Sequence, residues 1–325
     1  MNTDQRIPSK KEIENIIKEN YREYLSLFIE LQSFLFSSIY KRYQSLESGH
    51  LVLSFAKIVH QNILRLREHD LNVNISFENF WENHNKINSP HTTIINIAKD
   101  TGLPKETARR KIINLIKLQV LNKKNEIVSF SPSENYKKKY NEFMPLEINK
   151  ISTIINFLNK KLNLKFENHK IISEIKQNYS FFWYHYLSTE LKSIKIWKKK
   201  IDDLEVILIF MQCAAVMVTY LKKNDLFRYD TIYNKDFLNR NLDKLSVSAT
   251  SISDLTGIPR ATCSRKLDKL VKMNVIAQDR LSKRYYVEDI WSDMLGNKNK
   301  DSEVNTFFIE FYFSTIKSIL QKTSN

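Results

Sequence analysis

IAKDTGLPKETARRKIINLIKLQVLN occupies residues 97–122, and ISDLTGIPRATCSRKLDKLVKMNVIA occupies residues 252–277, which lie 155 positions further along the chain. Ten of the aligned pairs are identical, including the Thr-Gly dipeptide and the proline that follows it two residues later. A glycine ends a helix well because it adopts the left-handed backbone conformation, and a proline suits the start of the next helix. Each stretch is therefore predicted to form a short helix, a glycine turn and a second helix.

The same register extends beyond these two stretches. Leu53 matches Leu208 at the offset of 155, and after residue 147 the matches continue at an offset of 156. The chain is therefore predicted to be a tandem duplication, with a first unit at residues 1–165 and a second at 166–325. Four glycines and six prolines are few helix breakers for 325 residues, so the fold class is predicted to be mainly α.

The second helix of each copy is amphipathic. Its apolar face is predicted to turn inward and consists of Ala108, Ile112, Leu115 and Ile116 in the first copy, and of Cys263, Leu267, Leu270 and Val271 in the second. A β-hairpin is predicted to follow, from 121–123 and 127–130 in the first copy and from 275–277 and 285–287 in the second. Ser251 and Asp254 are predicted to form a capping box for a helix that begins at Ile252.

Helix, glycine turn, second helix and hairpin, in that order, resemble the winged helix-turn-helix of bacterial transcription regulators. TGLPKETARR (101–110) and TGIPRATCSR (256–265) are similar to the turn and recognition helix of Crp-type and MarR-type regulators. The resemblance covers about 75–132 in the first unit and about 230–290 in the second. It implies a small β-hairpin wing in each module and double-stranded DNA as the partner.

The resemblance also implies how the residues divide between bases and phosphates. Base edges in the major groove would be contacted by the outward residues of the second helix, which are Lys105, Glu106, Arg109, Arg110, Arg260, Ala261, Ser264 and Arg265. Phosphates would be contacted by Thr107, Lys111, Thr262 and Lys266, and by the hairpin residues Lys123, Lys124, Arg280, Lys283 and Arg284. Because Ala261 and Ser264 depart from the charged pattern of the first copy, the two helices should read different sequences.

The predicted function is sequence-specific DNA binding by a cytoplasmic transcription regulator with two non-identical recognition helices. One chain would then act as a pseudo-dimer, or two chains as a homodimer. Two alternatives remain: a plasmid-type replication initiator with tandem winged helices, and a winged-helix protein–protein scaffold. The sequence leaves open which DNA site is bound, whether an effector acts on the protein, and whether it activates or represses transcription.

Composition agrees with a polyanionic partner. The chain has 51 Lys and Arg against 36 Asp and Glu, a net charge of +15, although the Lys- and Asn-rich composition of an AT-rich genome also contributes. The four glycines are too far apart for a dinucleotide-binding or P-loop motif. The seven histidines form no metal-binding pattern, so we expect no enzymatic activity, no metal and no cofactor.

Three further expectations concern location. Cys213 and Cys263 lie among apolar neighbours and are predicted to be reduced core residues. The N-terminus lacks an apolar h-region, which predicts no signal peptide. Residues 204–221 approach the length of a membrane span, but their counterpart at 49–66 is amphipathic, which favours a buried helix and no membrane partner.

Overall fold

The computed structural model of the protein describes residues 6–87, 92–201, 203–226, 235–287 and 303–323. The chain is mainly helical, which confirms the predicted fold class. In chain order the helices are α1 (Lys10–Glu19), α2 (Tyr21–Tyr43), α3 (Leu46–His69), α4 (Phe80–Lys86), α5 (Ile94–Thr101), α6 (Lys105–Lys117), α7 (Glu134–Lys161), α8 (Asn168–Gln177), α9 (Tyr179–Lys200), α10 (Leu204–Lys223), α11 (Lys235–Leu245), α12 (Ala249–Thr256), α13 (Arg260–Lys272) and α14 (Glu303–Thr323).

The strands are short and form two small antiparallel sheets. They are β1 (Thr92–Thr93), β2 (Leu121–Lys124), β3 (Ile127–Phe130), β4 (Ala277–Gln278) and β5 (Tyr285–Tyr286). In the first sheet β3 lies between β1 and β2, with Leu121 opposite Phe130. In the second sheet β4 pairs with β5, and Val247 adds an isolated bridge to Tyr285. Val247 lies 155 residues after Thr92, so both sheets receive a third segment at equivalent positions.

The chain divides into two compact units, which combine segments that are distant in sequence. The first unit draws on 1–16, 47–196 and 307–325, and the second on 17–46 and 197–306. The predicted boundary at residue 165 therefore falls inside the first unit. The two sequence repeats are consecutive halves of the chain, whereas each compact unit combines segments from both halves. The predicted limits of the second winged helix, at residues 230 and 290, lie outside the described residues.

The first unit is built around α7, which packs against α8. The hydroxyls of Tyr140 on α7 and Tyr179 on α9 are 2.5 Å apart, and Tyr186 donates a hydrogen bond of 2.9 Å to the buried carboxylate of Glu147. Because α8 and α9 follow residue 165, helices of the second repeat complete the core of this unit.

The second unit is built around α10, which packs against α2 and α13. Gln212 on α10 donates hydrogen bonds to the hydroxyls of Ser33 (2.7 Å) and Ser37 (2.9 Å) on α2. Helix α2 belongs to the first repeat, so this unit also contains a helix from the other half of the sequence. Such hydrogen bonds satisfy polar groups that would be costly to bury alone.

Helix α10 is the described helix that is long and apolar enough to cross a membrane. Most of it is buried inside the protein, including Ile207, Phe210 and Met217. This burial agrees with the prediction of a core helix, because a membrane span would expose its apolar side chains to lipid. Cys213 on α10 and Cys263 on α13 are both buried and reduced, as expected.

Candidate nucleic-acid interface

The first candidate surface lies on residues 92–130, which we call the first module. Thr93 caps α5 by accepting a hydrogen bond of 3.2 Å from the backbone N–H of Asn96. Gly102 ends α5 in the left-handed conformation, with φ of 64°. Leu103 is buried in the turn, and α6 begins directly after Pro104. The local sequence thus determines the predicted order of helix, glycine turn and helix.

The second candidate surface lies on residues 247–287, the second module, which repeats these features. Gly257 ends α12 with φ of 80°, and Ile258 is buried in the turn. The predicted capping box is wrong: α12 begins at Ala249, and Ser248 caps it by accepting from the N–H of Ser251 at 3.0 Å. Ser248 corresponds to Thr93 at the offset of 155, and a short hydroxyl side chain reaches the free N–H three residues on from either position.

The amphipathic prediction for α6 holds. Ala108, Ile112 and Leu115 are buried, and Ile116, which was also predicted to face inward, is half-buried. The predicted base-contacting residues are all exposed: Lys105, Glu106, Arg109 and Arg110. Arg109 lies 3.5 Å from the carboxylate of Glu106, one turn earlier. Both side chains are more than half exposed, so this ion pair contributes little free energy and leaves the two groups able to exchange partners.

Helix α13 presents a similar face with fewer charges. Cys263, Leu267 and Leu270 are buried as predicted, and Val271 is half-buried. Arg260, Ala261 and Arg265 are exposed. Ser264 is half-buried. The predicted phosphate contacts Thr107 and Thr262 are also half-buried at equivalent positions of the two helices.

Lys266 is the clearest departure from the predicted interface. Its side chain is 10% exposed, and its ammonium lies 2.5 Å from the carboxylate of Asp203 and 3.0 Å from that of Glu205. Burial would lower the pKa of Lys266, but the hydrogen bonds to these carboxylates outweigh burial and raise it. The prediction that Lys266 contacts phosphate is wrong, because this lysine holds α13 against the first turn of α10.

Lys111 occupies the equivalent position in α6. Its ammonium lies 3.6 Å from the carboxylate of Glu47, in the first turn of α3. Both side chains are about a quarter exposed. In each module, then, this lysine meets a carboxylate at the start of a long helix, where the helix dipole favours negative charge. This contact explains why both modules have a lysine at this position.

The hairpins carry the other predicted phosphate contacts. Lys123, Lys124, Arg280 and Lys283 are exposed, and Lys123 lies 3.9 Å from Glu126. Arg284 is placed differently. Its guanidinium donates to the hydroxyl of Ser246 at 3.0 Å and to the carbonyl of Ser246 at 2.7 Å. Arg284 therefore anchors the hairpin, which corrects its assignment as a phosphate contact.

One signal in the sequence indicates the true position of Lys266. Lys266 lies three residues after Cys263 and four before Leu270, so it shares the buried face of α13. Asp268 was not predicted to contribute, yet it accepts a hydrogen bond of 3.1 Å from the hydroxyl of Tyr285 and ties β5 to α13. The position of Asp268 in the sequence does not indicate this contact, because Tyr285 lies on a separate strand 17 residues later.

Other chemistry is sparse in the described part of the chain. Among those residues, no three His, Cys, Asp or Glu side chains are grouped so that they could hold a metal ion. His60 is fully buried and its ring stacks on Phe80 at 4.7 Å between centroids. Burial, reinforced by His84, lowers the pKa of His60 to about 3. This histidine is therefore a neutral core residue.

Comparison with protein-family models, with curated proteins and with solved structures gave no match for this chain.

Proposed function

We propose that the protein binds double-stranded DNA sequence-specifically, as a transcription regulator with two non-identical winged-helix recognition elements in one chain. The observation that carries the proposal is the repeated exposure of basic side chains on the second helix of each module. Lys105, Arg109 and Arg110 lie on that face of α6, and Arg260 and Arg265 on that of α13. Exposed arginines can pair with guanine through two hydrogen bonds.

Charge supports the same function. A net charge of +15 favours a polyanion, and the exposed lysines of both hairpins add cations beside the helices. Glu106 is the acidic exception on the face of α6, where a carboxylate can accept from cytosine N4. The first residues of the second helix are exposed in both modules, Lys105 and Glu106 in α6 and Arg260 and Ala261 in α13, so this end of the helix is open to a groove.

The test begins with capture of genomic DNA fragments by the full chain, followed by sequencing. We expect enrichment of sites with two unlike half-sites. Affinity for one enriched site should fall steeply with salt, with a slope of about −0.9 per neutralised phosphate. Lys124→Ala should flatten this slope by about one unit, whereas Lys170→Ala, an exposed lysine on α8, should leave it unchanged.

A flat salt response, with no enriched site, contradicts the proposal and favours the protein–protein scaffold. A plasmid-type replication initiator would enrich directly repeated sites clustered at an origin and would melt adjacent DNA. Permanganate reactivity of thymines beside the bound site distinguishes these outcomes, because a regulator bound to duplex leaves them paired.

A further inference from the structure

The hairpin of the second module carries an unusual residue at its tip. Leu281 is 94% exposed, which makes it the most exposed large hydrophobic side chain in the described part of the chain. Its neighbours in the turn are polar or basic, and Arg280 and Lys283 are both exposed. A single exposed leucine is ordinary on a protein surface, so its meaning depends on how the backbone presents it.

The turn that presents Leu281 is held by several hydrogen bonds. The carboxylate of Asp279 accepts from the backbone N–H of Ser282 at 2.6 Å. The carbonyl of Asp279 accepts from the N–H of Lys283 at 3.0 Å, and the N–H of Asp279 donates to the carbonyl of Arg284 at 2.9 Å. These bonds fix the backbone on both sides of Leu281, so that its side chain points away from the hairpin.

The hairpin is also fixed to the proposed recognition helix. The hydroxyl of Tyr285 on β5 donates to Asp268 on α13, and the backbones of Tyr285 and Val247 exchange two hydrogen bonds of 2.8 and 2.9 Å. Arg284 adds its two bonds to Ser246. The bond to Asp268 joins the hairpin to α13, and the bonds to Ser246 and Val247 join it to the segment before α12, so DNA bound along α13 would lie beside the tip.

The first module lacks this feature. Its hairpin turns at Asn125 and Glu126, which are both exposed and polar, and its basic residues Lys123 and Lys124 precede the turn. An acidic residue at the tip is repelled by phosphate. The apolar residue beside this turn, Ile127, is 37% exposed and pairs with Lys124 in the sheet, whereas the second hairpin has its leucine in the turn itself.

We propose that Leu281 is a wedge that inserts between two base pairs of the DNA bound by the second module. This proposal rests on the proposed function. Apolar side chains in the minor groove partly unstack a base step and kink the duplex, and flexible pyrimidine–purine steps yield most easily. Arg280 and Lys283 would neutralise the phosphates on either side of the opened step. The flanking cations favour DNA over an apolar protein partner.

The experiment uses the full chain and a duplex from the captured sites, with 2-aminopurine placed in turn at each adenine that the second module protects. Unstacking raises the fluorescence of 2-aminopurine. We expect saturating wild-type protein to raise it at one step, and Leu281→Ala to abolish that rise. Leu71→Ala is the matched control, since Leu71 is 76% exposed and lies outside both modules.

Affinity gives a second readout. Leu281→Ala should bind the intact duplex roughly tenfold more weakly than wild type, because the unstacked step loses its apolar contact. On a duplex with a mismatch at the same step, which is already unstacked, the wild type no longer meets the cost of unstacking and should bind more tightly. Leu281→Ala leaves the step stacked on the intact duplex and should gain little, so the difference between the two proteins should grow. If the wild-type chain binds no DNA, the proposed function fails. If it binds with the expected salt dependence but no probe position brightens, the wedge is overturned and the proposed function stands.

Discussion

The two modules have similar turns and differ in the chemistry that they expose. Gly102 and Gly257 have left-handed φ values at the same place, and Gln119 and Asn274 both have φ of 55° after the second helix. The exposed face of α6 nevertheless includes an acidic residue, Glu106, whereas α13 has alanine at that position. Turn geometry is thus repeated where the backbone requires it, while the surface is free to diverge.

The equivalent lysines show a second difference, which lies in burial. Lys266 is 10% exposed and lies within 3.0 Å of two carboxylates, whereas Lys111 is 25% exposed and lies 3.6 Å from the carboxylate of Glu47. The same residue therefore makes contacts of unequal strength, because a buried ion pair depends on its partners far more than an exposed one does. The ion pair is therefore more buried in the second module than in the first, and it should contribute more to holding α13 than the pair at Lys111 contributes to holding α6.

The largest expected effect tests this difference directly. Lys266→Met leaves Asp203 and Glu205 close together and without their cation. We expect a loss of about 2–3 kcal/mol in the free energy of unfolding of the second unit, discounted because both carboxylates are partly exposed. Lys111→Met should cost no more than about 1 kcal/mol. Urea denaturation, followed by hydrogen exchange at amides of α10 and α3, separates the two units.

Equal losses for the two variants would contradict the difference in burial. A DNA measurement adds a check on the corrected role of Lys266. Under conditions in which the variant remains folded, its slope of log affinity against log salt should match that of the wild type. A slope flatter by one unit would restore Lys266 as a phosphate contact.

The second prediction sharpens the comparison of the exposed faces. Arg260→Ala should weaken sequence preference in one half-site only, by about 1–3 kcal/mol per lost base contact. Arg109→Ala and Glu106→Ala should do so in the other half-site. Footprinting of each variant on a captured site, with single-base substitutions in each half, measures these effects. Simultaneous loss of both half-sites from one substitution would point to two chains assembled around a single dominant module.

The third prediction contrasts the response of the two compact units to acid. All seven histidines fall between residues 50 and 185, within the range of the first unit, and none falls in the ranges of the second. Burial holds the pKa of His60 at about 3, against a value near 6.5 in an unfolded chain. Below pH 6.5 the unfolded state therefore binds a proton that the folded state does not. At pH 5 this difference removes roughly 2 kcal/mol of stability.

Hydrogen exchange of the full chain at pH 7 and pH 5, corrected for intrinsic exchange rates, should show loss of protection in the first unit ahead of the second. His60→Leu keeps an apolar side chain of similar size against Phe80 and should remove much of this acid sensitivity. His69→Leu, on the exposed end of the same helix, should leave it unchanged. Equal acid sensitivity of His60→Leu and the wild type would argue against the buried neutral imidazole.

The internal repeat predicted the helix, glycine turn and second helix of both modules, but α12 begins at Ala249 and not at Ile252, and the first strand of the second hairpin lies at Ala277–Gln278 and not at 275–277. Turn residues such as Gly102 act locally, so their consequences can be read from a short stretch of sequence. The helical period also predicted which side chains of α6 are exposed. Lys266 was assigned to phosphate because its helix resembles a recognition helix, although its spacing placed it on the buried face of α13.

The pairing of helices across the two halves could not be predicted from the repeat. Amphipathicity identifies the face that a helix buries, and it does not identify the partner. Helix α2 buries Leu31 and Leu35 in the second unit, but the same apolar stripe could equally well have packed on a helix of its own repeat. The hydrogen bonds from Gln212 to Ser33 and Ser37 select the pairing, and they depend on residues about 175 positions apart.

The smallest expected effect concerns the feature that the modules share most closely. At Gly102 an added Cβ would meet no heavy atom within 4 Å, and at Gly257 it would meet only the side chain of Lys41 at 4.0 Å. Substitution by alanine is therefore opposed by the left-handed backbone alone, which costs about 1 kcal/mol. Gly102→Ala and Gly257→Ala should lower the free energy of unfolding of their own units by equal amounts. Asparagine, which tolerates this conformation better, should lower it less at both positions. A large difference between the two alanine variants, measured by urea denaturation with hydrogen exchange at α5 and α12, would mean that the turns are not equivalent.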